Sequence, residues 1–431
     1  MTAKNINRRD FIRTAAGMAT AAVGFPYIVP SSVFAQGGQT PPSERIVLGF
    51  LGCGKQSQHL TRSFLNSPGT HVVAACDVDR LKLERNQKIV EDHYARKSGQ
   101  SYKGCDTTGN FREILDRDDV DAVVISTPDH WHAAMVIASA QAGKDIYCEK
   151  PLSQTIAEAR AMVNAVRNYN RVFQTGSMQR SDWHFRLGCE LVRNGYIGEL
   201  QHVTVGIGGP PADHPLPAQP VPDYLDWEGW LGPVMWRPYN AELSPHISQD
   251  IFPHWRNHSE FGGGGMTDWG AHHFDIAQWG MGMDESGPVE IVPPDGKDVK
   301  VLTYKYATGV TMTRDSANGV LFTGTKGKVE TNRGHLKTWP DELKDVKLGP
   351  DETHLYESKN HYVDWLDAVR NRTKPICDIE TGCRSVTVCH LGNIAYKLQR
   401  PLKWDPEREV FVGDEEANRL LSRAYRSPWQ I

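Results

Sequence analysis

Three residues past the middle of the chain have the types and spacing for proton transfer. Asp268, His272 and Asp275 follow the pattern D-x-x-x-H-x-x-D, directly after the four glycines Gly262 to Gly265. On a helix at about 100° per residue, His272 stands roughly 40° from Asp268, and Asp275 roughly 20° to the other side. The three then share one stripe, with Gly270, Phe274 and Ala277 opposite and His273 turned away by about 100°. A histidine between two acids suits a general base, because one carboxylate can fix the tautomer and stabilise the imidazolium. Thr267 is placed to cap the helix start, and the glycines let its end approach a ligand closely. Two other readings compete: a structural histidine satisfied by aspartate, and a divalent-metal site completed by His254 or His258. Lys150 favours proton transfer. It follows the apolar run Asp145 to Cys148 within Glu149-Lys150-Pro151, so a strand end would aim its cation into a crevice and supply the electrophile without a metal. No metal is assigned.

These side chains need a scaffold, and the stretch Arg45 to Ser57 supplies its signature. Ile46 to Leu48 reads as a buried parallel strand, and Gly52-Cys53-Gly54-Lys55-Gln56-Ser57 reads G-x-G-x-x-S. The first glycine permits a tight turn and the second lets backbone approach a pyrophosphate. The next helix offers its free N–H groups to the phosphates. Ser57 stands where a third glycine is usual, a departure expected to loosen helix–strand packing slightly. Asp77 ends the next strand, 23 residues past Gly54, the spacing of an acid that takes ribose hydroxyls. A carboxylate there disfavours a 2′-phosphate, so NAD is expected over NADP, although nearby Arg80 leaves NADP open.

Strands and helices alternate through residue 169, the signature of a doubly wound parallel sheet. The strand Asp121 to Ser126 runs into Thr127-Pro128-Asp129-His130-Trp131-His132, and ligands in such sheets bind beyond the strands' carboxyl ends. Short strands from Gln201 to Asn332 predict a second, open, mostly antiparallel sheet. Helices cover one face of it, and the other is free to pair with another subunit. The Pro-rich stretch Gly208 to Tyr239 holds Tyr224, Trp227, Trp230, Trp236 and Tyr239. Stacking on a sugar face and packing onto the sheet are equal readings of these rings. The expected division is a leader at 1–35, a nucleotide domain at 43–169, a substrate domain at 170–403 and a packed-back tail at 404–431.

The leader rests on the twin-arginine pattern Arg8-Arg9-Asp10-Phe11-Ile12-Arg13, a weakly apolar stretch, and small residues near Ala35. It predicts export to the periplasm through the twin-arginine translocase. The chain has 431 residues and a formal charge of −4, and no basic run, which argues against a nucleic-acid partner. No other stretch is apolar for long enough to span a membrane. The eight cysteines contain no C-x-x-C and are expected as buried free thiols.

Glu149-Lys150-Pro151, with Gly49 to Gly54, Thr127-Pro128-Asp129 and the later Gly-rich helix, resembles the Gfo/Idh/MocA oxidoreductases, over essentially the whole mature chain. The resemblance implies that hydride passes between nicotinamide and a carbinol carbon of a sugar, glycoside or cyclitol. It implies that His272 accepts the hydroxyl proton, Asp268 assists and Lys150 completes the network. Carried onto this sequence, the cofactor contacts are Gly52, Gly54, Lys55, Gln56, Asp77, Thr127, Pro128, Asp129, His132, Glu149 and Lys150. Substrate contacts are Arg180, Asp268, His272 and Trp236. Export also implies a tightly held nucleotide, and the open sheet a homo-oligomer. A redox-neutral NAD-dependent glycosidase or lyase is the alternative, and a non-catalytic sugar sensor a third reading.

Overall fold

The computed structural model describes residue 41 and residues 44–431. The leader expected over residues 1–35 lies outside them. The first layer is built from β1 (Ile46–Leu51), α1 (Lys55–Leu65), β2 (Thr70–Cys76), α2 (Arg80–Ser98), β3 (Asp106–Thr108), α3 (Phe111–Leu115), β4 (Ala122–Ile125), α4 (Asp129–Gln141), β5 (Asp145–Cys148), α5 (Ile156–Asn168) and β6 (Phe173–Thr175). The six strands form one parallel sheet in the order β3-β2-β1-β4-β5-β6. β4 and β5 are buried along their whole length, because helices cover both faces of the sheet. Strand order reverses between β1 and β4, and a crevice opens there beyond their carboxyl ends.

Two differences from the expected boundaries stand out. Phe173–Thr175, expected in the second domain, is the sixth strand of the first sheet. The late helix α10 (His361–Asn371) also returns to that sheet, where Trp365 packs edge-on against Phe64 and Tyr147. These aromatic rings fill one side of the sheet, and Ile125, Trp131, Met162 and Phe173 fill the other.

The second layer follows through α6 (Trp183–Arg193), β7 (Leu200–Val205), α7 (Trp227–Leu231), α8 (Gly265–Asp268), α9 (Gly270–Met281), β8 (Glu290–Val292), β9 (Thr303–Lys305), β10 (Thr311–Arg314), β11 (Val320–Gly324), β12 (Lys328–Asn332), β13 (His335–Trp339), α11 (Ile379–Leu398), β14 (Leu402–Asp405) and β15 (Val410–Phe411). Its nine strands run β13-β12-β11-β7-β10-β9-β8-β14-β15, and only β7 and β10 pair in parallel. Val320 and Phe322 alternate with half-buried Leu321 and Thr323, so one face carries the core with Phe185, Phe274 and Met312. The tail begins with β14 and β15 at the sheet edge and is then partly helical, as expected, over Glu415–Asn418 and Arg419–Leu421. Its end does return to the body, with Trp429 edge-on to Trp131. All eight cysteines are free and buried. No helix among the described residues is long and apolar enough to cross a membrane.

Candidate active site

The glycine loop sits at the crevice. Gly52 takes φ +90°, and a Cβ there would lie 2.7 Å from the Thr127 amide nitrogen, so only glycine lets β1 turn beside β4. Its N–H donates to Cys76 O at 2.8 Å, and Ser126 Oγ donates to its carbonyl at 2.9 Å. Gly54 faces open space with nothing within 4 Å of where a Cβ would be, and α1 begins at the next residue. Ser57 is fully buried, and its hydroxyl accepts from Asn86 Nδ2 at 3.2 Å. The missing third glycine is thus replaced by a hydrogen bond to α2, and the expected loosening is not seen.

Asp77 lines the same cleft, accepting from the Cys53 and Asp79 amides at 2.6 and 2.8 Å. Burial raises its carboxyl pKa, and Lys82 and the Cys53 N–H oppose that rise. Lys55 forms an ion pair with Asp250 across the cleft, and Gln56 Nε2 donates to Glu149 Oε1 at 3.1 Å. Thr127 and Pro128 complete this wall, and the Thr127 hydroxyl is buried with no partner. An unfilled space before Gly54, an acid at the ribose position and an unpartnered hydroxyl fit a dinucleotide. The cleft has a cavity volume of about 280 Å³.

A second cavity, of about 380 Å³, opens from the first, since both share Gln56, Ser126, Thr127, Trp255 and Arg256. It brings together Asp129, Glu149, Lys150, Asp268 and His272. Lys150 Nζ donates to Asp268 Oδ1 at 2.6 Å and to Asp268 O at 2.9 Å. Burial works to raise the Asp268 carboxyl, but Lys150, Arg256 and Arg333 hold it below the usual carboxylate range. Burial, with Lys150 and Arg333 nearby, pushes His272 well below the usual imidazole range, so its ring is neutral. Burial lifts Asp129 to about 8 against the pull of Arg256, and it also raises Glu149.

The expected three-residue stripe forms only in part. The backbone stays helical through Trp269, between α8 and α9, and Asp268 and His272 face one cavity, but no acid touches His272, whose Nδ1 is buried without a partner. Asp268 is committed to Lys150. Asp275 points into the core, where Arg180 grips it with two bonds of 2.8 and 2.9 Å and Ser385 Oγ donates at 2.6 Å. Arg180, expected at the substrate, is 2% exposed and spans Asp275 and Asp284. The glycines before α8 meet backbone and not a ligand space: a Cβ on Gly264 or Gly265 would collide with residues 208–211.

Trp236, also expected at the substrate, is 60% exposed and lies with Gln219, Val221 and Tyr239 outside both cavities. Trp227 and Trp230 stack on each other at 4.7 Å in a buried cluster, so packing is the outcome for those rings. His132, expected at the cofactor, is buried between Pro151 O and Thr127 O, at 2.9 and 3.1 Å, with a pKa lowered to about 4 by burial. A neutral ring donates to one of those carbonyls, so His132 ties two cleft loops together instead of lining the cleft. His258, one of the two residues that could have completed a metal site at the helix, lies with His214 and Glu242 and not beside Asp268.

Two cations of the cavity escape sequence reasoning. Arg333 sits in the turn between β12 and β13 and lies 4.9 Å over the Trp269 ring. Arg256 lies 4.3 Å over Trp255, with Nε 3.9 Å from Asp268 Oδ1. A turn arginine carries no local signal of such a role; only the fold delivers it to the cavity.

A parallel sheet with a dinucleotide crevice, joined to a second domain whose helices α8 and α9 lend Asp268 and His272, defines a two-domain nucleotide-dependent oxidoreductase fold. The chain belongs to the Gfo/Idh/MocA oxidoreductase family: its NAD-binding Rossmann domain matches residues 46–177 and its C-terminal alpha/beta domain matches residues 211–431. A glycosyl hydrolase family 109 protein of Shewanella pealeana is 29% identical over 211 residues, 46% of this chain and 45% of the relative. An alpha-N-acetylgalactosaminidase of Shewanella oneidensis is 30% identical over 210 residues, with the same coverage. The match thus spans about half the length of these curated relatives. Among solved structures, the WlbA dehydrogenase from Chromobacterium violaceum with NADH and UDP-GlcNAcA superposes with a TM-score of 0.57 at 16% identity, covering 85% of this chain and 98% of that one. The aldose-aldose oxidoreductase from Caulobacter crescentus, complexed with glycerol, gives 0.55 at 20% identity over 83% and 99%. Both share the fold.

Proposed function

We propose that the protein is an exported NAD-dependent oxidoreductase acting on a CH–OH group of a sugar, glycoside or cyclitol. The observation that carries this reading is the neutral His272 beside the Lys150–Asp268 pair, in a cavity opening directly from the dinucleotide cleft. The nicotinamide supplies the chemistry of hydride uptake when bound. The protein's part is the proton. His272 takes it from the substrate hydroxyl, as a neutral imidazole can. Lys150 sets a cation beside the oxygen as its charge grows, and Asp268 fixes where that ammonium stands. Asp77, at the ribose end, favours NAD over NADP. The twin-arginine leader supports export to the periplasm, where no free NAD pool exists, so a tightly held, internally recycled nucleotide follows. The half-buried outer face of the nine-stranded sheet is the surface for a homo-oligomer.

The relatives named as glycosyl hydrolases and as an alpha-N-acetylgalactosaminidase favour one further reading: redox-neutral bond cleavage through a transient keto-sugar, using the same base and cofactor. One experiment decides. The nucleotide released from purified protein is identified by mass spectrometry, and a panel of sugars and glycosides is followed by NADH absorbance and product mass. Net NADH with a keto product supports oxidoreduction; aglycone release without net NADH supports the second reading. Protein that neither carries nor binds a nicotinamide nucleotide overturns both.

A further inference from the structure

The Pro-rich loop, the segment around Glu242 and the segment 254–264 meet at a junction whose residues His214, Glu242 and His258 line neither cavity. They are held by Ala212 N–H donating to Asn257 O at 2.9 Å, Ser259 N–H to Asp213 Oδ1 at 2.7 Å, and His254 N–H to Glu242 O at 3.2 Å. At that junction His214, Glu242 and His258 bring one ligand atom each to within 4.8 Å of one another. Glu242 Oε1 stands 2.9 Å from His214 Nε2 and 3.7 Å from His258 Nε2. Tetrahedral zinc with bonds of about 2.0–2.1 Å places its ligand atoms about 3.3 Å apart, between those two distances.

An ordinary surface ion pair accounts for His214 with Glu242. It does not account for His258. That ring is 1% exposed, and its Nε2 is buried, aimed at the same carboxylate beyond hydrogen-bond reach and with no partner. A buried imidazole nitrogen without a partner is costly unless something fills the gap. His214 is about half exposed, which gives an ion a way in and leaves room for a water as fourth ligand.

We infer that His214, Glu242 and His258 bind a divalent zinc-type cation that ties the Pro-rich loop to the segment carrying Trp255 and Arg256. Two imidazoles and one carboxylate select zinc over magnesium. Since Trp255 and Arg256 line both cavities, the ion would brace the cleft wall without entering the reaction. The inference stands independently of the proposed activity.

The test uses untagged full-length protein, stripped with a chelator and dialysed, then titrated with Zn²⁺ or Mg²⁺. Metal content after desalting and the thermal unfolding midpoint are both read. The expected result is one zinc per chain, no retained magnesium, and a midpoint that rises with zinc and falls back with chelator. His214→Ala alters an exposed side chain and leaves the core intact. It and Glu242→Gln should each weaken zinc binding by at least about 10-fold and abolish the midpoint shift. Wild-type protein that retains no stoichiometric zinc, or variants that keep both the zinc and the shift, would overturn the inference.

Discussion

Lys150 Nζ reaches both the carboxylate and the main-chain carbonyl of Asp268, at 2.6 and 2.9 Å. Lys150 stands two residues past the end of β5 in the parallel sheet, and Asp268 ends α8 beside the second sheet. The ammonium therefore fixes the cavity between the sheets and carries charge into it. With Asp268 taken by Lys150, the proposed base is His272, whose Nδ1 has no partner. Lys150→Met and His272→Gln should each lower kcat about 10²–10⁴-fold while nucleotide is still carried. Steady-state kinetics alongside nucleotide content check this; a variant near wild-type kcat removes that residue from proton transfer.

Arg180 and Asp275 form a buried pair with Asp284 and Ser385, not a substrate clamp. Removing one member strands a buried charge. Asp275→Asn and Arg180→Met should each cost about 3–5 kcal/mol in denaturant unfolding. KM of the folded fraction should stay near wild type. A raised KM with unchanged stability would return Arg180 to the substrate.

Two buried groups predict opposite pH signatures. Burial raises Asp129 to about 8, above its unfolded value of about 3.9, so the fold binds a proton that the unfolded chain releases. Its contribution is present at low pH and is lost as pH rises toward 8. Burial lowers His390 to about 4, below its unfolded value of about 6.5, so its contribution is present above pH 6.5 and is lost as pH falls toward 4. Relative to wild type, Asp129→Asn should gain stability at pH 8 over pH 5, by a few kcal/mol at most. His390→Gln should gain at pH 5 over pH 8. Unfolding of all three proteins at both pH values measures the differences, and parallel curves would refute the assignment.

Trp236 is exposed outside both cavities, whereas Trp230 is buried against Trp227 and lines the nucleotide cleft. Trp236→Ala should leave KM and stability within experimental scatter. Trp230→Ala should cost about 3–5 kcal/mol. A large KM increase in the Trp236 variant would place substrate on the Pro-rich loop.

Asp77 lines the cleft where the proposed reading puts the ribose. Asp77→Ser should weaken NAD binding and narrow the gap to NADP, each by about 10-fold or more, as titrations with both nucleotides would show. An unchanged ratio would mean that another group sets the choice.

Sequence alone determined what depends on neighbours along the chain. The glycine loop, the strand–helix alternation, Asp77 at its strand end and Lys150 before Pro151 follow from local sterics, period and spacing, and they place the dinucleotide crevice. Tertiary structure decided which charges pair. Asp268, His272 and Asp275 sit within eight residues, yet they go to Lys150, to no partner and to Arg180. A shared helical face fixes direction but not partners. The backbone stays helical through Trp269 and Asp268 and His272 face one cavity, yet what each side chain meets is set by the elements packed there. Arg256 and Arg333 reach the cavity from a loop and a turn, and His214, Glu242 and His258 meet from three separate segments. Such encounters depend on how the two sheets and the Pro-rich loop pack, which is set by burial over the whole body and not by spacing within any one stretch.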